Sequence, residues 1–146
     1  MPDIAVVERL LLATVLGAVL GLEREYRAKP AGLRTNMLIA IGSALFTIVS
    51  QEFGRAGGTP DRIAAQIITG IGFLGGGAIL RSDGTVKGMT TAATIWVNAA
   101  VGVAAGAGQF ALATSATILT LVVLVVLPPI EEYFDRRAGV GNQHDR

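Results

Sequence analysis

Four short segments concentrate polar chemistry at the ends of apolar stretches: Glu23-Arg24-Glu25, Arg34-Thr35-Asn36, Arg81 with Asp83, and Thr90-Thr91. Carboxylates beside guanidinium groups can clamp helices together as an ion-pair lattice. The same set can also frame a site for a small ion, a lipid phosphate or a partner helix. Thr35 and either Thr90 or Thr91 suit helix N-caps, because first-turn amides lack partners and the helix dipole is positive there. Arg34 at such a start opposes the dipole. It is therefore expected to answer a carboxylate, with Glu23 and Asp83 the nearest candidates. An acidic side chain from one hairpin would then close onto the helix starts of both. A Mg²⁺ ion wants oxygen ligands in octahedral geometry. Glu23, Glu25 and Asp83 supply oxygens, but the neighbouring arginines repel a cation. No metal site is expected, and an anionic group suits the cluster better.

Two further polar residues fall deep inside apolar stretches, Gln66 and Asn98. Thr91 and Asn98 are seven apart and share a helix face, with Thr94 nearby. Such groups either bond across helices as structural glue or bind a ligand. Other chemistries find little support. There is no cysteine, and the single histidine, His144, lies in the tail. No nucleophile–base pair is recognisable, and no Gly-rich loop lies outside an apolar stretch. Neither enzymatic activity nor a cofactor is expected. A net charge of +1 gives no reason to expect nucleic acid binding.

The elements that must position these residues are membrane spans. Of the 146 residues, 51% are hydrophobic and 16% charged, and mean hydropathy is +0.57. A soluble domain is nearer 25% charged. Crossing a hydrocarbon core of about 30 Å takes about 20 apolar residues. Residues 35–51 and 63–80 carry no charge, and residues 88–130 form a charge-free run of 43, enough for two crossings turned at Gly106 and Gly108. The first stretch reaches back to Ile4, leaving Glu8 and Arg9 to snorkel at the outer interface. No basic leader precedes it and no small-residue cleavage site follows, so it reads as a retained span. The expectation is an all-α integral membrane protein, a compact bundle of about five transmembrane helices near 4–22, 35–51, 63–80, 88–105 and 109–128. Pro128-Pro129 would end the last. Residues 1–130 would form the membrane domain and 131–146 a short cytosolic tail. Nine Lys and Arg fall on one side and three, Arg9, Arg55 and Arg62, on the other. This bias places the N-terminus outside and the C-terminus in the cytosol.

Small residues at a spacing of four suggest where helices touch. Ala13, Gly17 and Gly21 mark the first span, Gly72 and Gly76 the third, and Gly102 and Gly106 the fourth. Close packing over small residues must hold helices together in lipid. Spans 1, 3 and 4 are therefore expected to form the tight core, with the Leu- and Val-rich fifth facing lipid. A weak internal repeat is also visible at an offset of 56. Gly21 meets Gly77, Gly32 meets Gly88, Leu33 meets Met89 and Thr35 meets Thr91. Any symmetry axis would lie along the membrane normal.

The segments G-L-E-R-E (21–25), A-G-L-R-T-N (31–36), R-I-A-A-Q-I (62–67), G-I-G-F-L-G-G-G (70–77) and T-A-A-T-I-W (91–96) follow one another in an order and spacing that resembles the MgtC/SapB family of bacterial inner-membrane proteins. The resemblance implies a five-helix, multi-pass bundle in the plasma membrane and no enzymatic activity. It also implies a link to growth at low magnesium and, in pathogens, to survival inside host cells. Proposed partners for the family are the F-type ATP synthase and a P-type magnesium transporter. The motif positions carried onto this chain are Glu23, Arg24, Arg34, Thr35, Asn36, Arg62, Gln66, Thr91 and Trp96. Longer members continue into a cytosolic C-terminal domain, which the short tail here is not expected to form. Two functions remain open: a non-catalytic modulator that binds other membrane proteins, and a small oligomeric transporter or channel for a cation such as Mg²⁺.

Overall fold

The computed structural model describes residues 4–58, 61–82 and 85–138. Among them are five α-helices: α1 Ile4–Tyr26, α2 Leu33–Arg55, α3 Asp61–Gly77, α4 Met89–Gly106 and α5 Phe110–Ala138. Four of these, α1, α2, α4 and α5, are long and apolar enough to cross a membrane, and the fold is a membrane helical bundle. In α3 the apolar stretch is Ala65–Gly77. Its 13 residues rise only about 20 Å, short of a core of about 30 Å.

Helix α4 touches all four other helices, and α1 and α4 both pack on α2. The glycines of α1 and α4 pack directly on its backbone. A Cβ at Gly17 would stand 2.8 Å from the Asn36 carbonyl oxygen, and one at Gly21 would stand 2.7 Å from Leu33 Cα. On the other side, a Cβ at Gly102 would meet the Ala40 carbonyl at 2.5 Å, and one at Gly106 would meet that of Ala44 at 2.5 Å. The core thus joins Ala13 and Leu16 of α1, Ala40 and Ala44 of α2, Val101 and Ala105 of α4, and Ala113 of α5. The expectation that spans 1, 3 and 4 form the tight core is corrected: the third helix helps line a second, smaller cluster through Ile67 and Ile71. Gly70, Gly72, Gly76 and Gly77 have nothing within 4 Å of where a Cβ would be. Spacing of small residues identifies faces that can pack closely. It does not say which of them meet a partner.

The connections show why the chain turns where it does. Helix α1 ends in a reciprocal pair of backbone bonds, Lys29 N–H to Arg24 C=O at 2.9 Å and Ala28 N–H to Glu25 C=O at 3.0 Å. Ala28 takes φ 52, the left-handed position usually given to glycine. Between α3 and α4, Leu80–Ser82 (β1) and Thr85–Lys87 (β2) pair antiparallel. The sequence around the connection, Asp83-Gly84, is the strongest short hairpin signal. Gly88 then enters α4 at φ 90.

Helix α5 lies along the outside, mostly exposed apart from residues such as Ala113, Thr117 and Leu124. It runs through Pro128 and Pro129 to Ala138, whereas the sequence reading stops it there. A proline in a membrane helix frees the carbonyl four residues back, and neighbours can satisfy it. Here the Val125 carbonyl, four before Pro129, accepts a bond from Arg27 Nη2 at 3.5 Å.

Candidate functional site

The polar residues converge in two layers, one buried between α1, α2 and α4, the other at the ends of the helices. In the buried layer, Asn98 is fully enclosed and donates from Nδ2 to the Asn36 carbonyl at 2.7 Å and to Asn36 Oδ1 at 3.1 Å. Asn36, equally enclosed, donates to the carbonyls of Ala31 and Gly32. Its amide therefore folds back on the start of α2 and then receives α4. One turn and more nearer the same end, Arg24 Nη2 donates to Thr91 Oγ1 at 3.5 Å. Thr91, Thr94 and Asn98 all lie on the buried face of α4. Thr94 returns its hydroxyl to the Thr90 carbonyl at 2.8 Å.

The charged layer surrounds Glu23, whose side chain is only 8% exposed. Arg27 Nε lies 2.8 Å from Glu23 Oε1, and Arg24 Nη1 lies 3.5 Å from Oε2. Among the described residues neither carboxylate oxygen receives an aligned hydrogen bond, so the charge is balanced by proximity and not by directed N–H groups. Arg24 Nε and Asn98 Oδ1 are likewise buried without a hydrogen-bond partner among the described residues. Buried pairs of this kind add little net stability as a pair, yet losing one member leaves an uncompensated charge.

Several expectations need correction. Arg34 is exposed and does not pair with Glu23, which answers Arg24 and Arg27 instead; its other candidate, Asp83, lies outside the described residues. Glu25 is the residue that closes onto a helix start. Its Oε2 accepts the Leu33 amide at 3.0 Å. Thr35 and Thr91 are not N-caps, because the cap positions are Gly32 and Gly88, neither with a side-chain bond. The exposed Thr35 borders a groove, and the buried Thr91 holds Arg24. Gln66 is exposed on α3 and borders the same groove. Trp96 is half-exposed. Asp83 lies outside the described residues, and Arg81 is described only as the middle of β1. Among the described residues, no three His, Cys, Asp or Glu gather as a metal would need.

Two arginines have roles that sequence reading missed. Arg27 bridges Glu23 and the Val125 carbonyl, and the signal was the Pro128-Pro129 pair that frees carbonyls in α5. At the opposite end, Arg9 does not simply snorkel. Its Nη1 donates to Gln51 Oε1 at 2.9 Å and to the Gly106 carbonyl at 3.1 Å. It thereby ties α1 to the end of α2 and places a cation at the C-terminus of α4, where the dipole favours it.

Long apolar helices joined by short connections, with buried amides bonding across them, define a multi-pass membrane protein. The MgtC family model matches residues 10–133, and the chain belongs to the MgtC family. Protein MgtC of Salmonella typhimurium is 49% identical over 118 residues, covering 81% of this chain and 50% of the relative. YhiD of Escherichia coli K12, whose name proposes a magnesium transporter, is 46% identical over 125 residues, covering 81% and 58%. An uncharacterised Synechocystis protein is 49% identical over 129 residues, covering 88% and 55%. The chain therefore spans little more than half the length of these relatives. No solved structure matches it.

Proposed function

We propose that this chain is a non-catalytic protein of the bacterial plasma (inner) membrane that serves magnesium homeostasis by contact with other membrane proteins. Its N-terminus lies outside and its C-terminus in the cytosol, following the Lys and Arg bias. By family resemblance, the F-type ATP synthase or a P-type magnesium transporter is the partner class. One observation carries this reading. Around α2 the helices approach to backbone contact at Gly17, Gly21, Gly102 and Gly106, while Gly70, Gly72, Gly76 and Gly77 of α3 have free space beside them among the described residues. A bundle closed inside and open at its flank is suited to lateral contact more than to conduction.

The test is reconstitution. Purified protein in liposomes is expected to leave an imposed Mg²⁺ gradient intact, and to co-purify with an ATPase subunit from mild detergent. Failure to co-purify would count against the proposal.

A second reading, a small oligomeric transporter or channel for Mg²⁺, is favoured by the name of the YhiD relative. Its passage would have to form between copies. Mg²⁺ flux that disappears in Asn98→Ala or Glu23→Ala would establish it in place of the first.

A further inference from the structure

The α2–α3 flank holds a groove of about 970 Å³. That lies at the upper end of the roughly 300–1,000 Å³ common for ligand pockets. Its α2 wall is the stripe Thr35, Leu38, Ile39, Gly42, Ser43 and Phe46, and α3 supplies Gly70, Ile71, Leu74 and Gly77 among others. Glycines keep the groove open. A Cβ at Gly42, Gly70 or Gly77 would meet nothing within 4 Å.

The groove has a polar mouth and a largely apolar length, interrupted by Ser43 and Gln66. Thr35 stands at the end where α2 begins, and Arg34 is four residues before Leu38, so Arg34 continues the same helix face one turn outward. Arg34 is exposed and has no carboxylate partner among the described residues. Glu25 occupies the Leu33 amide, and the first intrahelical bond is that of Asn36 N–H to Gly32 C=O. The Arg34 and Thr35 amides between them remain unpaired within the helix. From Thr35 to Phe46 the α2 wall rises about 16 Å, roughly half of a hydrocarbon core of about 30 Å.

The geometry points to an anionic phospholipid as the occupant. One acyl chain lies in the groove over the depth of a single leaflet, and the phosphate sits at Arg34 and the free amides of α2. The order of chemistry along the groove, cation first and aliphatic surface after, is that of the lipid. A second copy docked symmetrically on this flank would instead set Arg34 against Arg34. The proposal is independent of any role in magnesium homeostasis.

The full chain in nanodiscs of equimolar phosphatidylglycerol and phosphatidylcholine, released for native mass spectrometry, tests it. The wild type should carry phosphatidylglycerol over phosphatidylcholine by about fivefold, the ratio given by about 1 kcal/mol for one basic residue at the surface. Arg34→Ala should keep bound lipid and lose that preference. Gly70→Leu fills the groove and should lose the bound lipid. Gly72→Leu, which also has free space but lies outside the groove, should match the wild type. Circular dichroism verifies that the variants fold. Equal lipid retention in Gly70→Leu and wild type would overturn the proposal, as would an unchanged headgroup preference in Arg34→Ala. A dimer that Gly70→Leu abolishes would overturn it in favour of a second copy.

Discussion

The two helical hairpins of this chain are built from similar sequence and packed in opposite ways. Gly21 and Gly77 stand 56 residues apart, one five residues before the end of α1 and the other at the end of α3. The first is pressed onto Leu33 and Asn36, and the second has nothing within 4 Å. The same residue type at the same place therefore serves helix contact in one hairpin and leaves an open groove in the other. The difference lies in α2, which is flanked by α1 and α4 and leaves α3 with a face to spare. Gly32 and Gly88 remain alike. A Cβ at either would strike its own hairpin, on Glu25 in one and on the Ala78 carbonyl in the other.

The comparison can be broken most directly at its paired glycines. Gly21→Leu should cost more than about 4 kcal/mol, because the backbone of α2 cannot yield, while Gly77→Leu should stay within about 0.5 kcal/mol. Denaturation by sodium dodecyl sulfate in mixed micelles measures both. Equal losses would show that the third helix is packed as tightly as the first. Arg24→Ala comes next, with about 3–5 kcal/mol expected, since Glu23 would lose one of the two guanidinium groups that balance it in a buried place. The same unfolding titration reads it, and a loss below about 1 kcal/mol would mean that Arg27 alone suffices. Asn98→Ala should cost about 1–2 kcal/mol by removing two donations to Asn36, which keeps its local partners. The smallest effect has the opposite sign. Gly76→Ala, with free space beside it, should stabilise by up to about 1 kcal/mol through helix propensity, whereas Gly106→Ala should destabilise.

The sequence shows some of this plainly. Charge-free intervals find four of the five helices, because charges are costly in hydrocarbon, and the first is found by extending its apolar stretch back over Glu8 and Arg9. The seven-residue spacing of Thr91 and Asn98 places them on one face, since that follows from helix geometry alone. Which stripe of glycines meets a partner is not local information, so Gly17 and Gly102 look no different from Gly72 until the helices are assembled. Glu25 shows a second limit. It reaches Leu33 only because Ala28 and Ala31 adopt left-handed conformations, φ 52 and φ 57, that alanine seldom takes. Arg34, read as the partner of Glu23 or Asp83, does not meet Glu23, which Arg24 and Arg27 balance instead. The β-hairpin after α3 was signalled by Asp83-Gly84, but helix length took precedence in a chain so apolar.

The local satisfaction of Asn36 has a consequence for how the protein is made. When α2 enters the bilayer, its buried amide can already donate to Ala31 and Gly32 of its own chain. It crosses as a self-contained segment. Asn98 donates instead across the bundle, to Asn36, 62 residues earlier. The buried amide of α4 is thus satisfied by assembly with α2, so the Asn98–Asn36 contact ties the fourth helix to the second.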